Sequence, residues 1–188
     1  MLTRIYIVLI ALGISFSSYG QHHQVGVLYG YGGPNYLGVD YSYKVQLIQV
    51  QYIYAFKPMT NWGCEVFGIP QFNFTEFRER NHHHHTIDGF EFGINFGVLM
   101  RRNWNETVST YVGLSLGPHY ISGAPTRQVS GFIFSDNFFF GLSSRLFDNV
   151  FLDVRTGFRH ISNADFAKPN KGINSLILNA GLFVELDQ

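Results

Sequence analysis

The chain is 188 residues long, enough for one domain, and its 13 basic and 13 acidic side chains cancel to a formal net charge of zero. Sparse, balanced charge excludes an electrostatic nucleic-acid binder, and a single cysteine, Cys64, excludes an internal disulfide. Only 14% of the residues are charged while 17% are aromatic, whereas a water-soluble domain carries about a quarter charged residues.

Arg4 precedes the apolar run Ile5 to Ile14, and Ser17-Ser18-Tyr19-Gly20 follows before Gln21. A charged start, a short apolar core and small residues make the pattern of a secretory signal. Residues 1–20 are therefore expected to be a cleaved leader and 21–188 the mature domain. The apolar run is too short to span a bilayer as a helix, and no later stretch holds eighteen apolar residues without a break.

Eight alternating segments follow, at 23–31, 43–56, 61–75, 86–100, 107–120, 128–145, 149–161 and 173–186. They are longer than the five or six residues usual in soluble sheets and match the roughly 9–11 needed to cross a bilayer at a tilt. In the first, Gly30-Tyr31-Gly32 has no helix after it, so it is no phosphate loop. In the third, Cys64 reads as a small apolar filler. Between the third and fourth lies Asn81-His82-His83-His84-His85, which reads as a solvated loop because no carboxylate spacing accompanies it. No metal or cofactor is expected.

The fourth segment shows the pattern best. Phe90, Phe92, Ile94, Phe96, Val98 and Met100 share one face, and Gly89, Glu91, Gly93, Asn95 and Gly97 the other. Glu65, Glu91, Asp153 and Arg155 fall on the second kind of face, and so does His119, which reads as a hydrogen-bonded interior histidine. Small residues and paired charges can fill a narrow eight-stranded interior, leaving the Phe-rich face for lipid. The predicted fold is all-β: an eight-stranded antiparallel transmembrane β-barrel. Closure leaves no open edge for hydrocarbon to meet. Short turns (Lys57 to Thr60, Arg101 to Glu106, Phe147-Asp148) alternate with mostly longer loops. That alternation puts both termini in the periplasm and the loops outside.

The seventh segment carries Val150, Leu152, Val154, Thr156 and Phe158 on its lipid row, which continues into His160 and Ser162. The eighth starts its lipid row with Asn174 at a similar height. A histidine and a serine two apart on a strand share a face, so a base and a nucleophile come within reach of each other at the outer-leaflet end. Asn163 and Asn170 can donate to a developing oxyanion. The same residues also read as interfacial polar groups near headgroups, without chemistry, because His-x-Ser is a short, common pattern. Arg78, Arg80, Arg127, Lys168 and Lys171 lie in predicted external loops and can meet phosphates on lipopolysaccharide; Lys168 and Lys171 flank the site.

His160-Ile161-Ser162-Asn163-Ala164, followed by Pro169-Asn170-Lys171-Gly172-Ile173, resembles the active-site segment of the outer-membrane lipid A 3-O-deacylases, the PagL type. The resemblance implies an eight-stranded barrel of the bacterial outer membrane that hydrolyses an ester-linked acyl chain of lipid A. It implies Ser162 as nucleophile, His160 as base, and Asn163 and Asn170 in oxyanion stabilisation. The family's acid is a glutamate at the position held here by Asn174. An asparagine can orient the imidazole but cannot compensate its charge, and Asp165 is the nearby carboxylate that could substitute. The alternatives are a non-catalytic outer-membrane barrel with a structural or surface-binding role, and a soluble lipocalin-like barrel.

Overall fold

The computed structural model describes residues 22–34, 41–56, 61–79, 86–124 and 128–186. The expected leader, the histidine run, Arg80 and Arg127 lie outside the described residues. Eight strands run in chain order: β1 (His22–Pro34), β2 (Tyr41–Ala55), β3 (Trp62–Glu79), β4 (Thr86–Asn103), β5 (Val108–Ile121), β6 (Gly131–Phe147), β7 (Val150–Ser162) and β8 (Ile173–Leu186). Each pairs antiparallel with the next, and β8 closes on β1.

Several boundaries differ by a few residues from the sequence expectation, among them those of β3 and β6. β3 runs on to Glu79, pairing Phe77 with Ile87 and Arg78 with Thr86, because Phe77 stacks on Tyr41 and Glu76 pairs with Lys44 across the neighbouring strands. β6 begins at Gly131, not 128: Gln128 bridges to Asn170 instead, and Gly131 has φ +116°, a conformation that interrupts a strand.

The alternation sorts every strand into a lipid row and a lumen row. Phe90, Phe92, Phe96, Val98 and Met100 are exposed on the outside while Glu91, Asn95 and Leu99 are buried inside. An apolar exterior around a polar-centred lumen is the reverse of a lipocalin and fits hydrocarbon.

The lumen is layered. Toward the long loops lies an apolar cluster of Tyr43, Val45, Leu47, Phe77, Ile121, Ile133, Ile161 and Ile173. Below it, Glu91 bonds both Arg159 and His119. His119 Nε2 also lies 3.1 Å from Asn95 Oδ1 and from Gln71 Nε2, so it is the interior histidine expected. Toward the short turns lies a second apolar cluster that includes Leu28, Phe67 and Phe139, together with two ion pairs. Arg101 grips Glu65 at 2.6 and 3.0 Å, and Asp153 accepts from Arg155 Nε at 3.0 Å and from Tyr111 at 2.7 Å. The lumen is thus more apolar than small residues and charges alone imply. An interior just wide enough for side chains offers little water to polar groups; those around Glu91, Glu65 and Asp153 are bonded to one another, while the buried side chains of Gln51 and Ser175 have no hydrogen-bond partner among the described residues.

Candidate active site

The end of β7 delivers His160 and Ser162, both half-buried, to the lipid row. They are two residues apart, so their Cα atoms are separated by about 6.6 Å. Directly behind them, Ile161 pairs with Ile173 in the apolar layer. This packing fixes the strand from which both side chains project.

The register between β7 and β8 sets Asn174 opposite His160. His160 Nδ1 lies 2.6 Å from Asn174 Oδ1, and the Asn174 backbone N–H donates to Tyr41 Oη at 3.3 Å. Gly172 lies against the other side of the ring. It has φ +65°, and a Cβ there would meet His160 Cε1 at 2.5 Å. The ring is therefore held between an amide and a backbone that only glycine can supply.

The loop from Asn163 to Gly172 is tied into a compact shape by its own side chains. Buried Asn163 accepts from the Asp165 N–H at 3.1 Å, donates from Nδ2 to the Ala167 carbonyl at 2.9 Å, and its backbone N–H donates to Asn170 Oδ1 at 3.0 Å. Asn170 Nδ2 and Lys168 Nζ both donate to Asp165 Oδ1, at 3.0 and 2.8 Å. The Lys168 and Asn170 bonds hold the Asp165 carboxyl below its ordinary range. Asp165 is thus committed within the loop, and the structure assigns the imidazole contact to Asn174 instead. Lys171 is exposed, while Lys168 is occupied by Asp165.

The structure adds a second acidic residue to the site. Asp136 stands on the lipid row of β6, directly opposite His160. Its signal is a lone carboxylate among Phe132, Phe134, Phe138 and Phe140 on a row that should be apolar. Phe134 pairs with Ser162, and the loop residue Phe166 packs on both Phe132 and Phe134. Asp136, His160 and Phe138 also border an apolar groove of 1070 Å³ that crosses the outer wall past Leu116 and Phe96. Gly68 deepens it, since a Cβ there would touch nothing closer than 3.8 Å. Among the described residues no three potential ligands converge for a metal.

The sequence profile of the lipid A 3-O-deacylase (PagL) family matches residues 48–183. Among solved structures, the outer membrane enzyme PagL superposes with a TM-score of 0.53 at 18% identity, covering 84% of this chain and 97% of that one. Neisserial surface protein A gives 0.50 at 18% identity over 89% and 98%. The attachment invasion locus protein Ail of Yersinia pestis, in complex with the heparin analogue sucrose octasulfate, gives 0.51 at 15% identity over 90% and 100%. These likenesses establish the fold, a small antiparallel β-barrel. No curated protein matches the chain by sequence.

Proposed function

The chain belongs to the lipid A 3-O-deacylase (PagL) family, and on that premise we propose that it removes an ester-linked acyl chain from lipid A by a Ser162–His160 mechanism. The observation that carries the proposal is the 2.6 Å contact between His160 Nδ1 and Asn174 Oδ1. A carbonyl oxygen only accepts, so the proton sits on Nδ1 and the Nε2 lone pair is left for Ser162.

His160 Nε2 takes the Ser162 hydroxyl proton as Oγ attacks the ester carbonyl. The amide nitrogens of Asn163 and Asn170 each carry two N–H bonds, of which the loop uses one; the second is available to the developing oxyanion. The imidazolium then protonates the departing alkoxide. Water, activated by the same imidazole, releases the fatty acid from Ser162. The chemistry needs neither metal nor cofactor.

Asn174 orients the ring without compensating its positive charge. In serine triads a change from acid to amide costs about four orders of magnitude when the tautomer is wrong. Here the Oδ1 contact supports the right tautomer, and Asp136 supplies negative charge from the opposite strand. At a lipid-facing site that charge is screened less than in water. The leader sends the chain out of the cytoplasm, the long loops face outward, and the substrate enters sideways from the outer leaflet. Its acyl chain lies in the groove beside Phe138, and its phosphates meet Lys171 and the N–H donors of Lys168 that Asp165 does not use.

The test is mass spectrometry of lipid A after incubation with detergent-purified protein, beside Ser162→Ala. Loss of one hydroxyacyl mass with the unmodified protein alone is the expected result. Release that persists in Ser162→Ala removes the mechanism. Asn174 itself favours a second reading, a barrel that has lost its acid and serves as a structural or binding protein. Under that reading Asn174→Glu gains activity from an inert background.

A further inference from the structure

A second lipid-facing site lies at the opposite end of the barrel and is independent of the proposed hydrolysis. Arg102 stands on the outer row of β4, after Phe96, Val98 and Met100, where the strand reaches the short turns. Its guanidinium carbon lies 4.0 Å from the centroid of Trp104 and 5.4 Å from that of Trp62. Trp104 is itself pinned, donating from Nε1 to Thr110 Oγ1 at 2.9 Å. The side chain is thus held in place by rings at a depth where tryptophans mark the membrane interface.

The arginines of the lumen show what Arg102 lacks. Arg101, Arg155 and Arg159 point into the lumen, and each is paired with a carboxylate. Among the described residues no carboxylate pairs with Arg102. Stacking occupies the faces of a guanidinium and leaves its N–H edge free, and that edge matches two oxygens of a phosphate. From this cation an apolar groove of 620 Å³ rises along the wall between Met100, Val112, Phe140, Leu142, Val154 and Leu178. The groove has the composition of an acyl-chain site, and its mouth has the charge of a phosphate site.

We propose that Arg102, Trp62, Trp104 and this groove form a binding site for an anionic glycerophospholipid of the leaflet beside the short turns. The phosphate sits on the guanidinium edge and one chain lies in the groove. The negative headgroup is selected because no carboxylate among the described residues pairs with Arg102 to neutralise it. A zwitterionic lipid brings its own cation to the same place.

The chain contains two tryptophans, and both flank Arg102, so the intrinsic emission of the protein reports on this site. The experiment reconstitutes the protein in phosphatidylcholine vesicles and replaces a minor fraction of the lipid with chain-brominated phosphatidylglycerol or, separately, chain-brominated phosphatidylcholine. Bromine quenches tryptophan on contact. Excess quenching by the anionic lipid is expected, equivalent to about fivefold local enrichment, the size one basic side chain confers at an anionic surface. Arg102→Gln should reduce the two quenching curves to one. Equal quenching by the two lipids in the unmodified protein overturns the site, and that comparison stands even where the variant fails to fold. Excess quenching that survives in a folded Arg102→Gln barrel overturns the role of the arginine.

Discussion

His160 has a different neighbour on each side, and the two can be separated by substitution. Asn174 Oδ1 lies against Nδ1 and Asp136 stands opposite on the paired strand; in the proposed mechanism the first sets the tautomer and the second contributes only charge. Asp136→Asn should lower kcat by about tenfold, equivalent to the loss of about 1.4 kcal/mol of transition-state stabilisation, with KM for lipid A nearly unchanged. An unchanged kcat in a deacylation assay would remove Asp136 from the mechanism. Asn174→Glu restores a charged partner in contact with the ring and should raise kcat; Asn174→Leu, which leaves the tautomer free, should lower it. The histidine, the serine and the asparagine were legible in the sequence because each interrupts a lipid row that is otherwise apolar. Asp136 interrupts its own row in the same way and was equally visible. What could not be read was that it faces His160, because the facing residue depends on the register between strands.

Register is a property of the element, and one residue sets it here. Phe147 pairs with Val150 across the two-residue turn, but Arg145 pairs with Phe151, which leaves Leu146 as a bulge. Even-numbered residues of both β6 and β7 face the lipid. A regular hairpin closing at 147 and 150 would set odd against even. The bulge corrects the parity and brings Asp136 and Phe134 opposite His160 and Ser162. Deleting Leu146 should therefore break the β6–β7 pairing or displace the site, seen as loss of heat-modifiable migration of the folded barrel on gels. The loop after β7 makes its own prediction. Asp165 has its carboxyl held below the ordinary range by Lys168 and Asn170. A lowered folded-state value stabilises the loop above the unfolded value, and this stabilisation is lost as pH falls through the folded one. Hydrogen exchange at 163–172 should accelerate at acid pH before exchange in the strands does. Asp165→Asn should show the fast exchange at neutral pH. Gly172→Ala should lose deacylation while the barrel still folds, because the strain is local to the ring of His160.

For the whole molecule, the order of the eight strands was legible because a closed barrel gives each side chain only two environments, and period-two alternation separates them. The layering inside was not legible, because alternation assigns a residue to the lumen without fixing its height against seven other strands. Glu91, Arg159 and His119 come from three different strands and meet only once closure sets the shear. Removing one member leaves an uncompensated buried charge, so Glu91→Ala should cost about 3 kcal/mol, measured as a lower urea midpoint for unfolding in vesicles. An equal midpoint would mean that the lumen admits water.

The apolar layer under the loops has a consequence for traffic. Val45, Leu47, Ile121, Ile133 and Ile161 are fully buried there, so the lumen is filled at this level and the barrel should insulate. Planar bilayers containing it should carry no single-channel current. The water that completes the proposed hydrolysis cannot arrive from the periplasm through the protein. In the proposed mechanism it comes from the loop side, along the headgroups, and the freed fatty acid departs sideways into the membrane from which its parent lipid came.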